Sequence, residues 1–290
     1  MTAYCLNSND EQLLQLALVE DLGIAYEDIT SDLLFSDSGN KNYQAKIISK
    51  HPAPIIFSGA AIVKPLLNKL SHDHECHFHI QDGEWCAPSD TLLSIIAPAR
   101  VMLKAERTLL NFLQRLSGIA TVTRQYVDAV RHTSAKILDT RKTTPGLRRL
   151  EKYAVQCGGG VNHRMGLYDA LMIKDTHTDF LGGIEHSLSQ LPDDITQHYP
   201  VIVEVRNRNE LNIVLKNGLH KTTRVLLDNM NLTELAACVA LCESRIATEA
   251  SGNINLDNVS EVAACGVDFI SIGRLTHSIF SADLSMQCDL

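Results

Sequence analysis

The sequence lacks several features that would place it in common classes of protein. No apolar run in its 290 residues approaches the roughly 18 residues that a membrane span requires. Its first residues contain neither the basic stretch nor the continuous apolar stretch of a signal peptide, so we expect no such peptide. Lysine and arginine number 26 against 34 aspartates and glutamates. This formal net charge of −8 argues against nucleic-acid binding, because nucleic-acid-binding proteins are usually basic.

Aromatic residues and closely paired cysteines are also scarce. Aromatics make up 5% of the chain and hydrophobic residues 45%, so the core must be mainly aliphatic, as in many α/β proteins. The eight cysteines include no C-x-x-C pair of the kind that holds zinc. Several of them lie in apolar, helix-like stretches. Reduced thiols of a cytoplasmic protein are the simplest interpretation.

What the sequence does contain is one basic, glycine-rich segment, residues 139–177. Seven Lys or Arg residues face four acids there. A cationic segment within an acidic protein indicates a site for a small, highly charged anion rather than a broadly basic surface. We interpret three of its charges, those on Arg148, Arg149 and Lys152, as belonging to an exposed helix face.

The first third of the chain shows mixed α and β patterns. Residues 10–22 have helical apolar spacing, with Asp10 as a candidate N-cap. Residues 101–130 form a long amphipathic pattern in which Ser117–Gly118 marks either a break or a point of close packing. Alternating stretches between these two segments indicate short strands. This part therefore reads as an α+β unit.

The second part of the chain has a regular βα rhythm. Helix-like segments separate most of six short apolar runs, which end at Asp139, Lys174, Glu204, Asp228, Ser251 and Gly273. Such alternation predicts parallel strands with right-handed crossovers. An open doubly wound sheet fits the periodicity as well as a barrel does. Polar residues at the ends of six strands, rather than at one switch point, favour an α/β barrel, complete or incomplete.

Residues at or near these strand ends form the candidate site. Arginine suits carboxylates, acids can hold Mg²⁺ or stabilise a developing positive charge, and glycines let backbone amides approach a phosphate. The members are Arg141, Lys142, His163, Arg164, Lys174, Glu204, Asp228, Ser251, Gly252 and Gly273. Glu249 shares a strand face with Ser251, and packing support is the alternative interpretation of its role.

The longest motifs carry a resemblance to a known family. They read D-T-R-K-T-T-P-G-L-R from Asp139, K-Y-A-V-Q-C-G-G-G-V-N-H-R-M-G-L-Y-D from Lys152, and I-K-D-T-H from Ile173. With E-R-T-L-L-N-F-L-Q-R-L-S-G-I-A-T before them and E-A-S-G-N-I after them, they resemble the quinolinate phosphoribosyltransferases, also called nicotinate-nucleotide pyrophosphorylases. The resemblance covers nearly the whole chain.

The resemblance implies both a reaction and a fold. Quinolinate and phosphoribosyl pyrophosphate would give nicotinate mononucleotide, pyrophosphate and CO₂, with Mg²⁺ as cofactor. The fold would be an α/β sandwich domain, residues 1–114 with a return of residues 276–290, and an incomplete α/β barrel, residues 115–275. The protein would be a homodimer with shared active sites.

The resemblance also implies roles for the cationic residues. Arg141, His163 and Arg164 would hold the two carboxylates of quinolinate. Lys142 and Lys174 would lie nearby as catalytic candidates.

The remaining residues are implied to contact the second substrate or the partner subunit. Glu204 and Asp228 would face the ribose and Mg²⁺ and are the other catalytic candidates. Arg107 would reach the partner subunit's site. The residues implied to hold phosphate are Ser251, Gly252 and Gly273.

Two alternatives to this function remain open. A related phosphoribosyltransferase-like protein could act on another heterocyclic acid, although the intact R-K-T-T-P-G and N-H-R-M-G motifs argue against it. A non-catalytic anion- or metal-binding protein could use the cluster His72, His74, Cys76, His77 and His79. We favour a surface strand for that segment, because no further Cys/His pair completes a metal site.

Overall fold

The computed structural model of this chain describes residues 4–35 and 41–289, which divide into two compact units. The first unit comprises Met1–Arg124, Thr144–Gly159 and Ser278–Leu290, and the second comprises Gln125–Thr143 and Gly160–His277. Residues 115–124 and 144–159 thus group with the first unit, although the sequence-based boundaries assign them to the barrel. Residues 1–3, 36–40 and 290 belong to the predicted first domain and lie outside the described residues.

The first unit is an α+β structure. Its helices are α1 (Ser8–Leu22), α2 (Ile29–Leu34), α3 (Ala60–Asn68), α4 (Ala99–Val130, through Arg124) and α5 (Arg148–Cys157). Its strands are β1 (Asn42–Ser49), β2 (Ile55–Ile56), β3 (Glu75–Phe78), β4 (Trp85–Cys86), β5 (Thr91–Pro98) and β12 (Leu284–Asp289). β12 pairs with β1 in an antiparallel sheet of order β12-β1-β5-β3, so the end of the chain completes this sheet.

Local patterns explain these elements. Leu14, Leu18 and Leu22 recur every four residues along α1 and are buried, as an amphipathic helix requires. Ala45 and Ile47 alternate with more exposed neighbours on β1. Each element therefore buries one face in the core of this unit.

The N-cap of α1 is Asn7, so the prediction of Asp10 was wrong. The Asn7 side chain accepts hydrogen bonds from the backbone amides of Asn9 and Asp10, both at 3.0 Å. Asp10 instead accepts from the amide of Asn7 at 2.9 Å, which closes a capping box. The helix begins at Ser8, before the apolar pattern starts. Its first turn consists of polar residues, which an apolar spacing cannot reveal.

The long helix α4 is continuous through Ser117 and Gly118. A Cβ on Gly118 would lie 2.3 Å from the backbone oxygen of Phe280, so this glycine marks close packing rather than a break. No helix within the described residues has both the length and the apolarity that a membrane crossing demands.

The interpretation of α5 as bearing a solvent-exposed charged face was wrong for Lys152, whose exposed fraction is 0%. Glu151 is equally buried and accepts from the Arg115 guanidinium at 2.8 Å. Arg149 pairs with Asp10 at 3.2 Å. Lys152 is therefore buried, and Arg149 is held in an ion pair within the first unit.

The second unit is a parallel sheet with helices between its strands. The strands are β6 (Lys136–Leu138), β7 (Leu171–Ile173), β8 (Val201–Val205), β9 (Arg224–Asp228), β10 (Ala247–Ser251) and β11 (Phe269–Ser271). The helices are α6 (Asp175–Leu181), α7 (Ile184–Ser189), α8 (Asp193–His198), α9 (Arg208–Ile213) continued by a π-helical turn (Val214–Gly218), α10 (Leu232–Cys242), α11 (Val259–Ala264) and α12 (Arg274–His277). The predicted βα rhythm is confirmed.

The order of the parallel strands is that of an incomplete barrel. It runs β6-β11-β10-β9-β8-β7, so the first strand of the unit lies beside the last. Among the described residues, no ladder joins β6 to β7, and the ring is open at that point. An α+β unit combined with an incomplete α/β barrel confirms the predicted fold class. The carboxyl ends of the strands meet at one mouth.

Candidate active site

A cavity of about 780 Å³ lies at the carboxyl ends of the barrel strands. Every candidate from the second unit lines it: Arg141, Lys142, His163, Arg164, Lys174, Glu204, Asp228, Ser251, Gly252 and Gly273. Parallel strands bring together residues more than 100 positions apart, because their carboxyl ends share one edge. Grouping these residues at one mouth therefore follows from the strand rhythm.

Arg107 lies elsewhere, on an exposed face of α4 in the first unit. It is not among the residues that line the cavity within the described parts of the chain. Its role toward a partner subunit stays a prediction.

Arg164 is held in place on the cationic side of the cavity. Its Nη1 donates to the backbone oxygen of Ala170 at 3.1 Å, and its Nη2 lies 3.4 Å from the Met172 sulfur. Burial, and then the neighbouring charge of Arg141, lower the pKa of Arg164. The guanidinium remains charged at neutral pH, since arginine loses its proton only in strongly basic solution. Two close, partly desolvated arginines favour a bound anion.

His163 is fixed by its backbone and by its ring. Its amide donates to the Asp139 carboxylate at 2.8 Å, which ties the loop to the end of β6. The Arg164 amide donates to His163 Nδ1 at 2.7 Å. On its other side, Nε2 lies 3.4 Å from Glu249 Oε1.

The acidic side of the cavity is built on β8 and β9. Ser251 Oγ donates to Asp228 Oδ1 at 2.5 Å, and Asn229 Nδ2 donates to Asp228 Oδ2 at 2.6 Å. Burial raises the pKa of Glu204, and the carboxylates of Asp228 and Asp175 raise it further. The carboxylates of Glu204 and Asp228 therefore repel each other across neighbouring strands.

The donor set of Glu204 and Asp228 fits Mg²⁺. Glu204 pairs with Leu226, two residues before Asp228, so both carboxylates point to the same side of the sheet. Mg²⁺ is usually held by one or two carboxylates together with water and substrate phosphates. Across residues 4–35 and 41–289, no group of three or more His, Cys, Asp or Glu forms a metal cage by itself. A metal held here would complete its coordination with water or substrate oxygens.

Glycines at the cavity bring backbone close to the space where a ligand would lie. Gly252 has φ +94°, and a Cβ there would lie 2.1 Å from Asn229 Oδ1. A Cβ on Gly273 would lie 3.0 Å from both His277 Nε2 and Lys142 Cδ. Only glycine fits the first of these positions without displacing Asn229.

Sequence reasoning missed several lining residues. Those that adjoin a predicted residue in sequence, or follow it within one helical turn, are Thr140, Asn229, Asn253, Arg274 and His277. This proximity is the signal that could have identified them, because a whole loop end contributes to the mouth. Glu249, for which packing support was the alternative interpretation, lines the cavity with an exposed fraction of 0%.

The histidine-rich segment lies in the first unit, at and around β3. His72 Nδ1 and His74 Nε2 both lie within hydrogen-bonding distance of Asn68 Oδ1, at 3.3 and 2.9 Å. His79 Nε2 is 2.9 Å from Ser94 Oγ, and the His77 and His79 rings meet edge to face. These polar contacts, rather than a shared ligand geometry, account for the placement of the rings.

Comparison with known proteins decides the family. The model of the quinolinate phosphoribosyl transferase N-terminal domain matches residues 28–117, and that of the C-terminal domain matches residues 119–287. This chain belongs to the quinolinate phosphoribosyl transferase family. The two domain models meet near the middle of α4.

Individual relatives agree with the family assignment. A probable nicotinate-nucleotide pyrophosphorylase (carboxylating) of Bacillus subtilis is 38% identical over 280 residues, 97% of this chain and 93% of that protein. A nicotinate-nucleotide pyrophosphorylase (carboxylating) of Mycobacterium leprae is 42% identical over 213 residues, 72% of this chain and 74% of that protein. The names of these relatives favour neither of the alternative functions.

Solved structures of the family share the whole fold. The nicotinate-nucleotide pyrophosphorylase of Francisella tularensis superimposes with a TM-score of 0.88 at 35% identity, covering 98% of both chains. That of Ehrlichia chaffeensis gives 0.89 at 34% identity, covering 99% of this chain and all of the other.

Proposed function

We infer that this chain is a quinolinate phosphoribosyltransferase of the decarboxylating type. It transfers phosphoribosyl from phosphoribosyl pyrophosphate to quinolinate and releases pyrophosphate and CO₂, giving nicotinate mononucleotide for NAD biosynthesis. Membership of the family supports this inference. The structural observation that supports it is that one cavity combines a cationic side with the carboxylates of Glu204 and Asp228 on neighbouring strands.

The cationic residues suit the binding of two anions at once. Quinolinate is a dianion and phosphoribosyl pyrophosphate a polyanion, so fixed positive charges are needed to bring them together. We assign the quinolinate carboxylates to Arg141 and Arg164, with His163 beside them in the cavity and in contact with the Arg164 backbone. Lys142 and Lys174 lie in the same cavity and would offset the remaining negative charge.

The carboxylates suit the charge that develops during transfer. As pyrophosphate leaves, positive charge grows on the ribose, and we assign its stabilisation to Glu204 and Asp228. The ring nitrogen becomes cationic once it bonds to the ribose and can accept the electron pair that CO₂ leaves behind. No protein nucleophile is required. Positioning and electrostatics could supply on the order of 10 kcal/mol of the rate enhancement.

The phosphate of the ribose would be held where the last barrel strands end. Ser251, Gly252 and Gly273 are the candidates, because small residues there let backbone amides approach a phosphate, as loops at this end of barrels often do. Mg²⁺, when bound by Glu204 and Asp228 with substrate oxygens, would neutralise part of the pyrophosphate charge.

The assembly and compartment are also part of the proposal. We expect a homodimer in which Arg107 contributes to the site of the other subunit. We expect a cytoplasmic protein, and the eight cysteines, all of which are free thiols, support that expectation.

The proposal is tested by incubating the protein with quinolinate, phosphoribosyl pyrophosphate and Mg²⁺ and following nicotinate mononucleotide. We expect product from the unmodified protein and at least about a hundredfold less from Arg141→Ala, which loses a carboxylate partner. Arg206→Ala is the matched control, since Arg206 pairs on the surface with Glu210 and Asp179. Consumption of another heterocyclic acid instead of quinolinate would overturn the substrate assignment.

A further inference from the structure

Glu249 is a buried carboxylate at the cavity for which the proposed reaction has no assigned role. Arg224 Nη1 donates to Oε2 at 2.7 Å, and the Ser271 hydroxyl donates to Oε1. Burial raises the pKa of Glu249, but its interactions with His163, Ser271 and Arg224 lower it below its ordinary value. The carboxylate therefore stays ionised and accepts hydrogen bonds through both oxygens.

The ring of His163 lies between this carboxylate and the backbone of Arg164. Nδ1 accepts the Arg164 amide hydrogen at 2.7 Å, so Nδ1 carries no proton in this arrangement. The ring proton must then be on Nε2, which lies 3.4 Å from Glu249 Oε1. The contact with the Arg164 amide selects the tautomer, and the Glu249 carboxylate faces the protonated nitrogen.

We propose that Glu249 is a positioning residue that acts through His163. It holds the imidazole as the Nε2–H tautomer, and the ring in turn fixes the backbone from which the Arg164 guanidinium projects. This inference deepens the proposed function and rests on it, because it makes Glu249 a determinant of quinolinate binding. Glu249 is not itself a catalytic residue, since both its oxygens are directed to protein donors.

Arg224 and Ser271 make this arrangement possible. A buried carboxylate with a single partner would be costly, and the Arg224 guanidinium compensates its charge. Arg224 is itself held by packing, since its Cζ lies 3.9 Å from the centre of the Phe269 ring. The carboxylate is thus oriented from the far side and presents Oε1 to the histidine.

Glu249→Gln is the decisive variant because it keeps the shape and removes one acceptor. An amide has one oxygen and one NH₂ group, so it cannot accept from both Arg224 and the His163–Ser271 side. If the amide oxygen of the variant faces Arg224, its NH₂ group faces the Nε2–H of His163. Two donors then meet, and the Nε2–H tautomer is no longer stabilised. Loss of a carboxylate that orients a ligating histidine commonly costs about 10- to 100-fold in ligand affinity or activity.

The experiment combines kinetics with ¹⁵N NMR of histidine-labelled protein, the His163 signals being assigned by their absence in His163→Gln. In the unmodified protein we expect a single neutral tautomer with the proton on Nε2. In Glu249→Gln we expect mixed tautomers and a KM for quinolinate raised by about 10- to 100-fold. The KM for phosphoribosyl pyrophosphate should change by less than about twofold.

Asp268→Asn is the control for a general loss of stability. Asp268 also accepts from a residue of β10, the amide and hydroxyl of Thr248, but at the opposite end of the strand from the cavity. The Asp268→Asn variant should have a lower Tm, with the His163 tautomer and the KM for quinolinate unchanged. If Glu249→Gln fails to fold, Glu249→Asp keeps the charge but withdraws it from Nε2, and the same two readouts apply.

Three results would separate the possible failures. A proton on Nδ1 in the unmodified protein overturns the inference. So does a Glu249 variant that retains both the tautomer and the quinolinate KM. Absence of nicotinate mononucleotide with the unmodified protein, while the tautomer is as expected, contradicts the proposed function and leaves the positioning of His163 by Glu249 standing.

Discussion

Ser251 donates its hydroxyl proton to Asp228, with Oγ and Oδ1 2.5 Å apart. A hydroxyl has one proton to give, so in this arrangement Ser251 orients the carboxylate. Asn229 Nδ2 donates to the other oxygen at 2.6 Å. Both oxygens of Asp228 are therefore directed before any ligand binds, which is what a preorganised electrostatic site requires.

Removing the Ser251 hydroxyl should damage use of phosphoribosyl pyrophosphate selectively. A hydrogen bond to a charged group is worth about 1.5–3 kcal/mol, so Ser251→Ala should lower kcat/KM for that substrate by about 10- to 100-fold. Binding of quinolinate, measured calorimetrically, should change much less. Ser189→Ala removes an exposed hydroxyl on α7 and serves as control. An equal loss for both substrates would contradict the assignment of Ser251.

The raised pKa of Glu204 predicts a pH effect on activity. The ionised carboxylate is the form that stabilises positive charge, so kcat should fall as the pH is lowered through the raised pKa. Asp175→Asn removes one of the repelling carboxylates, and the acidic limb of the pH profile should move to lower pH. An unmoved limb would mean that another group controls it.

The same raised pKa predicts an effect on stability with the opposite sign. A carboxyl whose folded pKa lies above its unfolded value favours folding at low pH, and that contribution is lost as the pH rises toward the folded pKa. Glu204→Gln removes the charge penalty, so its Tm near neutral pH should exceed that of the unmodified protein while activity collapses. The difference in Tm should shrink in acid.

Gly252 and Gly182 form a matched pair that separates backbone strain from steric conflict. Both have positive φ, +94° and +78°, but a Cβ at Gly182 meets nothing within 4 Å. Gly182→Ala should cost about 1–2 kcal/mol of unfolding free energy and leave kcat intact. Gly252→Ala should cost more and abolish most activity, because it displaces the Asn229 side chain that orients Asp228. Denaturant unfolding and kcat should be measured on both variants. Losses in Gly252→Ala no larger than those in Gly182→Ala would contradict the steric role of Gly252.

Shared active sites predict complementation between inactive variants. If Arg107 acts in the partner's site, Arg107→Ala and Lys174→Ala should each be inactive. After subunit exchange, half of the dimers are mixed and one of their two sites is intact, so activity should recover to about a quarter of normal. Exchange shown by mass spectrometry without recovery would mean self-contained sites.

The main features of the barrel could be predicted from the sequence because they depend on local order. Apolar runs ending in Lys174, Glu204, Asp228 and Ser251 mark strand ends, and parallel strands place those ends together. The fold class and the grouping of the candidate residues followed from this rhythm.

The network around Glu249 could not be predicted in the same way. Arg224, His163 and Ser271 lie on three different elements, and nothing local tells which of them faces the carboxylate. The prediction that Lys152 is exposed was wrong for a related reason. A basic helix pattern is typical of a solvated surface, whereas the burial of Lys152 depends on tertiary packing.

The coupling of decarboxylation to phosphoribosyl transfer is tested with quinolinate labelled with ¹³C in the carboxylate next to the ring nitrogen. With phosphoribosyl pyrophosphate and Mg²⁺ present, labelled CO₂, pyrophosphate and nicotinate mononucleotide should form in equal amounts. Without phosphoribosyl pyrophosphate no labelled CO₂ should appear, because the uncharged ring nitrogen cannot accept the electron pair. Release of CO₂ without transfer, or no release when both substrates are bound, would contradict the assignment of this chain as a decarboxylating phosphoribosyltransferase.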